Sequence, residues 1–403
     1  MQTPSDMPVI RLKPKTDARR IRHGAPWVYA NELVTDRRTK ALAPGTIALL
    51  EDSERQPLAL VAFNGESRII ARVLGTPESG PVDLMWFKTR FERALSLRET
   101  LFDAPYYRLI HAEADGLPGV IIDRFGDTAV IQPNAAWAEA LLEPLVEALC
   151  AVTGIKNVLK SASGRARGLE GLDDVSAVLK GSAPEQALPV TMNGATYMAD
   201  LTGGQKTGLF YDQRPNHAFG ARMAPGAEVL DVFAHVGGFG LAALAAGAKS
   251  ALAVDGSAPA LELATQGAAA MGMQEKFDTR QGDAFDTLDA LAKEERTFDL
   301  VICDPPAFAP NKQSLEAGLR AYERIARLAA PLVKDGGYLA LCSCSHAADL
   351  EKFRASSIRG IGRGLYGSGR GFSLIHTGFA GPDHPTHPQL AESSYLKALF
   401  FRL

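Results

Sequence analysis

The sequence predicts an α/β protein whose C-terminal part is a mostly parallel sheet with helices on both faces, preceded by a β-rich N-terminal segment and a mixed α/β middle segment. Three observations carry this. Short extended runs separated by turn residues fill positions 9–74, and a hairpin signal followed by an apolar stretch of helix length fills 120–152. From Glu228 onward, buried strand-like runs alternate with helical stretches. At 403 residues the chain exceeds one ordinary core, since single domains cluster near roughly 100 to 200 residues. The segments read as 1–76, 82–185 and 186–403.

In the first segment, Ile10–Leu12, Pro26–Tyr29, Thr46–Leu50, Pro57–Phe63 and Arg68–Leu74 read as strands of a small barrel or sandwich. Pro77–Pro81 reads as a linker, and Val82–Leu101 as an amphipathic helix with Met85, Phe87, Phe91, Leu95 and Leu97 on its apolar face. Arg124-Phe125-Gly126-Asp127 is a hairpin turn, followed by a helix over Ala135–Val152. In the last segment, strands over Glu228–Phe233, Ser250–Asp255, Phe298–Asp304 and Tyr338–Cys344 alternate with helices from Gly240, from Pro259 to Met271 and from Leu315 to Val333. Gly360–Gly371 has six glycines in twelve positions and reads as a mobile loop.

Composition narrows the function classes. With 46% hydrophobic and 22% charged residues the chain is a folded one. No run approaches the roughly 18 apolar residues of a membrane span, and the first twenty residues lack a signal-peptide core, so a cytoplasmic protein away from membranes is expected. Cys150, Cys303, Cys342 and Cys344 form no CxxC pair, which points away from a zinc site or a disulfide frame and leaves thiol chemistry. The formal net charge is −3, yet Arg11, Lys13, Lys15, Arg19, Arg20 and Arg22 crowd together with only Asp17 among them. Arg11, Lys13, Arg19, Arg20 and Arg22 are candidate phosphate contacts. Trp27 and Tyr29 could stack on bases, but Trp27 is better placed as core of the β-rich segment.

Ligands on a sheet of the C-terminal kind bind beyond the carboxyl ends of its strands. The first such strand ends in Asp231-Val-Phe-Ala-His235-Val-Gly237-Gly238-Phe-Gly240, a glycine-rich turn opening a helix. It lacks the GxGxxG of dinucleotide binders, and Asp231 would repel a pyrophosphate, so the acid fits a cationic ligand. Asp255, 24 positions on, ends the second strand and could accept both hydroxyls of a ribose. Asp283 follows where a later strand should end and is either an adenine-amino acceptor or a helix N-cap. Asp304-Pro305-Pro306-Ala307-Phe308 closes a fourth strand, where two prolines stiffen the chain and donate no N–H.

These motifs, with Ser343-Cys344-Ser345, resemble class I S-adenosylmethionine-dependent methyltransferases, and within them the large-subunit ribosomal RNA cytosine-C5 methyltransferase I family. Lys206–Arg214, His111–Asp127, Pro382–Pro385 and Tyr395–Lys397 also match the family pattern, so the resemblance spans essentially the whole chain. It implies an N-terminal PUA RNA-binding domain, a connecting domain and a Rossmann-like methyltransferase domain. S-adenosyl-L-methionine would be the cofactor and ribosomal RNA the partner, with a homodimer as a weaker implication. Phe210, Gln213, Asp231, His235, Gly237, Gly238, Asp255, Asp283 and Asp304 would form the cofactor site.

Carbon 5 of cytosine is a poor nucleophile, so its methylation calls for a thiolate adding at carbon 6. Alternation puts Cys342 and Cys344 on one face of their strand with Cys344 nearer its carboxyl end, which makes Cys344 the expected nucleophile and leaves Cys303 and Cys342 as core. Asp304 would hydrogen-bond N3 of the base and Pro305 would shape the pocket. Many RNA cytosine-C5 enzymes have a further cysteine after the proline, where this chain has Pro306 and Ala307. The base for the C5 proton is therefore open, with His346 as one candidate. Two alternatives stand beside this reading: methylation of an exocyclic base nitrogen, and a non-catalytic RNA-binding assembly factor.

Overall fold

The computed structural model describes residues 7–203 and 208–403. By internal contacts the chain divides into two units, the first covering positions up to Glu185 together with Pro382–Ala391, the second covering Gln186 onward apart from that insertion. No helix among the described residues is long and apolar enough to cross a membrane.

In the first unit, β1 (Val9–Arg11), β2 (Trp27–Val28), β3 (Thr46–Glu51), β4 (Pro57–Phe63) and β5 (Ala71–Gly75) form one sheet in the order β1-β3-β4-β5-β2. Two short helices that the sequence did not signal interrupt it, α1 (Ala18–Arg22) and α2 (Arg37–Lys40), each started by an aspartate whose carboxylate accepts from backbone N–H groups, Asp17 and Asp36. Trp27 is half-buried rather than core: its indole N–H donates to Glu113 at 2.8 Å, beyond the sheet.

The second sheet of this unit runs β10-β9-β8-β7-β6 and contains β6 (Tyr106–His111), β7 (Val120–Phe125), β8 (Thr128–Pro133), β9 (Asn157–Lys160) and β10 (Ala177–Lys180). Packed with it is α3 (Leu84–Leu101), capped by Asp83. Its buried stripe is Phe87, Phe91, Ala94 and Arg98, a 3.6-residue repeat joined by Trp86, whereas Met85 and Leu97 are 62% and 42% exposed. The segment expected as one helix over Ala135–Val152 is two, α4 (Ala136–Ala140) and α5 (Leu142–Thr153). Pro144 explains the break, because it has no N–H to donate to the carbonyl of Ala140. A short α6 (Arg165–Gly168) precedes β10.

The second unit opens with a hairpin of β11 (Leu188–Met192) and β12 (Ala195–Ala199), then α7 (Arg214–Ala221). Seven strands follow: β13 (Glu228–Val232), β14 (Ser250–Asp255), β15 (Phe277–Gln281), β16 (Phe298–Cys303), β17 (Val333–Ser343), β18 (Ser373–Gly378) and β19 (Lys397–Arg402), in the order β15-β14-β13-β16-β17-β19-β18. All pairs from β15 to β17 are parallel, and β19 runs antiparallel between β17 and β18. Connecting helices α8 (Gly238–Ala245), α9 (Ala258–Ala270), α10 (Ala284–Lys293), α11 (Leu315–Ala329) and α12 (Leu350–Gly364) cover the sheet on both faces, which is why its inner strands are apolar almost throughout while the edge strands β15 and β18 are partly exposed. Strand order reverses at β13, flanked by β14 and β16, and this opens a crevice at the carboxyl ends.

The glycine-rich stretch is only partly a loop, since Gly360, Gly362 and Gly364 belong to α12. A Cβ on Gly360 would lie 2.4 Å from the Glu323 carbonyl oxygen and one on Gly364 2.5 Å from that of Arg327. The glycines let α12 lie directly on the backbone of α11.

Candidate active site

At the end of β13 the chain turns sharply through Phe233, His235 and Gly237, all at positive φ, of 62°, 50° and 82°. Only glycine adopts such angles without cost, so the two side-chain-bearing residues are strained and must be held. The holding bonds are Ala234 N–H to the Val254 carbonyl at 3.0 Å and His235 N–H to Asp255 Oδ2 at 2.8 Å. Asp255 Oδ1 accepts from Ser257 N–H at 2.8 Å, so each oxygen keeps acceptor capacity toward the crevice. Phe210 packs edge-on against His235, ring centroids 5.0 Å apart. Gly238 is required by His217: a Cβ there would sit 2.7 Å from Nε2 of that buried ring.

Asp231 is 1% exposed. Its Oδ2 accepts from Gly240 N–H at 2.8 Å, while Oδ1 is buried with no hydrogen-bond partner among the described residues. Burial first, and the charge of Asp255 second, push its carboxyl up to about 7. Asp304 is pushed up to about 8 by burial and by the charges of Asp212 and Asp231, against a hydrogen bond from Gln213. An orphaned carboxylate oxygen among mutually repelling acids is a site built for a positive charge. Asp283 lies at the rim, exposed, with Oδ1 accepting from Phe285 and Asp286 N–H as the N-cap of α10. The preceding Gly282 N–H donates to the Asp255 carbonyl, which keeps this acid beside the ribose candidate.

Two loops, following β16 and β17, meet at the same end of the sheet. Cys303 and Cys342 are fully buried, and burial raises both thiols. Cys344, just past the end of β17, is half-buried, and its Sγ lies 3.9 Å from the Pro305 carbonyl oxygen. Its neighbours fix the loop. Ser345 Oγ accepts from Ala309 N–H at 2.8 Å and shares a proton contact of 2.6 Å with Tyr322 Oη, to which Ser343 Oγ donates at 2.9 Å. The Asp-Pro-Pro loop and the cysteine loop are thus tied through one buried tyrosine. His346 is exposed.

The structure therefore brings Gln213, Asp231, His235, Gly237, Gly238, Asp255, Asp304, Pro305 and Cys344 to one end of one sheet, with Phe210 against His235 and Asp283 at the margin. Lys206 and Thr207 lie outside the described residues. The basic candidates belong to the first unit and are largely paired: Arg11 with Glu51, Arg20 with Glu32 and Arg22 with Asp52, at 2.7–2.9 Å. Lys13 and Arg19 are exposed and make no ion pair among the described residues. Sequence reasoning quoted Asp212, Ser343 and Ser345 within motifs but gave them no role, and it missed Tyr322. The serines flank Cys344 and were a usable signal, whereas nothing local marks a tyrosine in the middle of α11.

Comparison with known proteins agrees with this geometry. Residues 10–76 match a PUA-like domain and residues 151–359 match S-adenosylmethionine-dependent methyltransferases. The Ribosomal RNA large subunit methyltransferase I of Shewanella denitrificans is 33% identical over 98% of this chain and 99% of its own length. Its counterpart from Alteromonas mediterranea is 34% identical over 96% and 97%. A candidate SAM-dependent methyltransferase from Streptococcus mutans shares the fold, with a TM-score of 0.80 at 18% identity over 98% of this chain and 100% of that one. A candidate methyltransferase solved with SAH superimposes equally well, TM-score 0.80 at 19% identity over 98% and 99%.

Proposed function

Because the chain belongs to the S-adenosylmethionine-dependent methyltransferases, and within them to the ribosomal RNA large subunit methyltransferase I family, we propose that it methylates carbon 5 of a cytosine in large-subunit ribosomal RNA, with Cys344 as nucleophile. The observation that carries this reading is the placement of Cys344: the least buried of the four thiols stands at the carboxyl end of the sheet, against the carbonyl of Pro305, the residue that follows an acid retaining its proton near neutral pH.

The cofactor is S-adenosyl-L-methionine, which supplies an activated methyl group on a cationic sulfur. The acids fit it: the unpartnered Oδ1 of Asp231 would take up its positive end, Asp255 the ribose hydroxyls and Asp283 the adenine amino group. His235, Gly237 and Gly238 would shape the wall, with Phe210 and Gln213 closing it.

In the proposed reaction the Cys344 thiolate forms a bond from Sγ to C6 of the base, and the displaced π electrons run through C5 and C4 to N3. Asp304, protonated at neutral pH, donates its proton to N3. This leaves C5 electron-rich and able to accept the methyl group. A general base then takes the C5 proton, the C5–H electrons re-form the C5–C6 double bond, the C6–Sγ bond breaks to release the thiolate, and N3 returns its proton to Asp304. Pro305 holds the Asp304 and Cys344 loops in contact. Lys13 and Arg19 of the PUA-like domain would meet RNA phosphates, with Arg11, Arg20 and Arg22 shared between RNA and their acidic partners.

RNA carrying 5-fluorocytidine tests the covalent step, because fluorine at C5 cannot leave as a proton does and the thioether persists. Wild-type protein with cofactor is expected to give a denaturant-stable RNA adduct that Cys344→Ala cannot form. Full methylation of ordinary RNA by Cys344→Ala would instead favour transfer to an exocyclic nitrogen.

A further inference from the structure

Lys397 opens β19 and pairs in register with Ser343, the residue before Cys344. Only 4% of it is exposed. Its Nζ donates to the Ser345 and Ala348 carbonyl oxygens, both at 2.7 Å, and makes no ion pair among the described residues. A buried ammonium normally sits against a carboxylate, since an unpaired charge in the interior is costly. Here both carbonyls lie on the loop just after Cys344, and Cys344 and Asp349 are the groups whose negative charge favours the protonated lysine. Tyr322 on α11, whose hydroxyl is occupied by Ser343 and Ser345, and the Pro305 carbonyl also act at the sulfur. Burial brings Lys397 down to about 8, so it still holds its proton at neutral pH, and two carbonyl acceptors favour that charged form. It is therefore unsuited to be the base that removes the C5 proton.

We propose that Lys397 is a positioning residue that acts through Cys344: it anchors the cysteine loop by two carbonyls and places a buried positive charge beside the sulfur, stabilising the thiolate. The inference rests on the reading of Cys344 as nucleophile. A stabilised thiolate serves both ends of the reaction, as the attacking species at C6 and as the leaving group when the C5–C6 double bond re-forms.

The test is the rate of Cys344 alkylation by iodoacetamide in the full-length protein, followed by peptide mass spectrometry from about pH 6 to pH 10. Wild-type protein is expected to reach half its plateau rate below the ordinary thiol value of about 8.5. In Lys397→Met the midpoint should move up by about one pH unit, making alkylation near neutral pH about tenfold slower, with the high-pH plateau within about twofold of wild type. Lys397→Arg should stay with wild type. A purely structural anchor would change the plateau and leave the midpoint alone, so superimposable midpoints for wild type and Lys397→Met overturn the proposal. Should Lys397→Met not fold, judged by loss of S-adenosylmethionine binding, Lys397→Gln keeps an N–H donor without the charge. A wild-type midpoint at or above about 8.5 also overturns it without any variant. Because alkylation reads the thiol alone, methylation retained by Cys344→Ala would remove the nucleophile reading while leaving this electrostatic result distinguishable.

Discussion

Asp231 and Asp304 hold protons at a pH where most carboxyls have lost theirs, and the cause is burial reinforced by neighbouring acids. The sign of the consequence follows. A cationic ligand binds the ionised form of Asp231, so affinity for S-adenosylmethionine should rise as pH increases through about 7, by roughly fivefold to tenfold between pH 6 and pH 8. Calorimetry in buffers of different ionisation enthalpy should show proton release on binding at neutral pH. Asp231→Asn should flatten that dependence and weaken binding by about tenfold to a hundredfold; an unchanged pH profile would mean that Asp231 does not face the cation. Asp304→Asn can neither donate a carboxylic proton nor take it back, and its turnover should fall by about a hundredfold or more while S-adenosylmethionine affinity changes far less. His217 offers a stability counterpart. Burial holds it down to about 3, below its unfolded value near 6.5. The stability it contributes is thus complete above about 6.5 and is lost as pH falls toward about 3. Urea titrations of wild type and His217→Phe between those limits should show the variant losing less stability on acidification.

Among the elements, the pair α11 and α12 shows how far spacing alone can be read. Gly360 and Gly364 stand four apart, which puts them on one face of a helix, yet six glycines in twelve positions read more naturally as a loop. What settles the matter is the backbone of α11, a partner absent from the local sequence. Gly360→Ala should therefore destabilise the protein by about 1–3 kcal/mol through overpacking against Glu323. Gly362→Ala, with nothing within 4 Å, should stabilise it by about 0.5–1 kcal/mol through helix propensity. Opposite shifts in thermal midpoint check both. Strands β13, β14, β16 and β17 were legible because burial on both faces writes them as continuous apolar runs, whereas the polar, half-exposed β15 was located only by the acid that follows it, and β18 and β19 were not signalled. Tyr322 was not, because its role is defined by Ser343 and Ser345, twenty-one and twenty-three positions away. Trp27 was misjudged for a related reason: its indole N–H is satisfied by Glu113, 86 positions on.

For the whole molecule, the PUA-like domain and the methyltransferase domain would each bring part of the proposed activity, the first by contacting RNA and the second by holding cofactor and target base. The basic run near the N-terminus looked uniform in sequence, but the fold divides it. Arg11, Arg20 and Arg22 have carboxylate partners, whereas Lys13 and Arg19 make no ion pair among the described residues. Replacing Lys13 and Arg19 together by alanine should lower the slope of log affinity against log salt for RNA by about 1.4, two single-strand phosphate contacts at about 0.7 each, with S-adenosylmethionine binding untouched. An unchanged slope would place the phosphate contacts elsewhere. The central claim is the reaction itself, and nucleoside mass spectrometry of ribosomal RNA from cells lacking the protein tests it most directly, with wild type or Cys344→Ala returned to them. The account requires one 5-methylcytosine to vanish from large-subunit RNA, to reappear with wild type and to stay absent with Cys344→Ala. Undiminished 5-methylcytosine in the deletion, or its full return with the alanine variant, would contradict it.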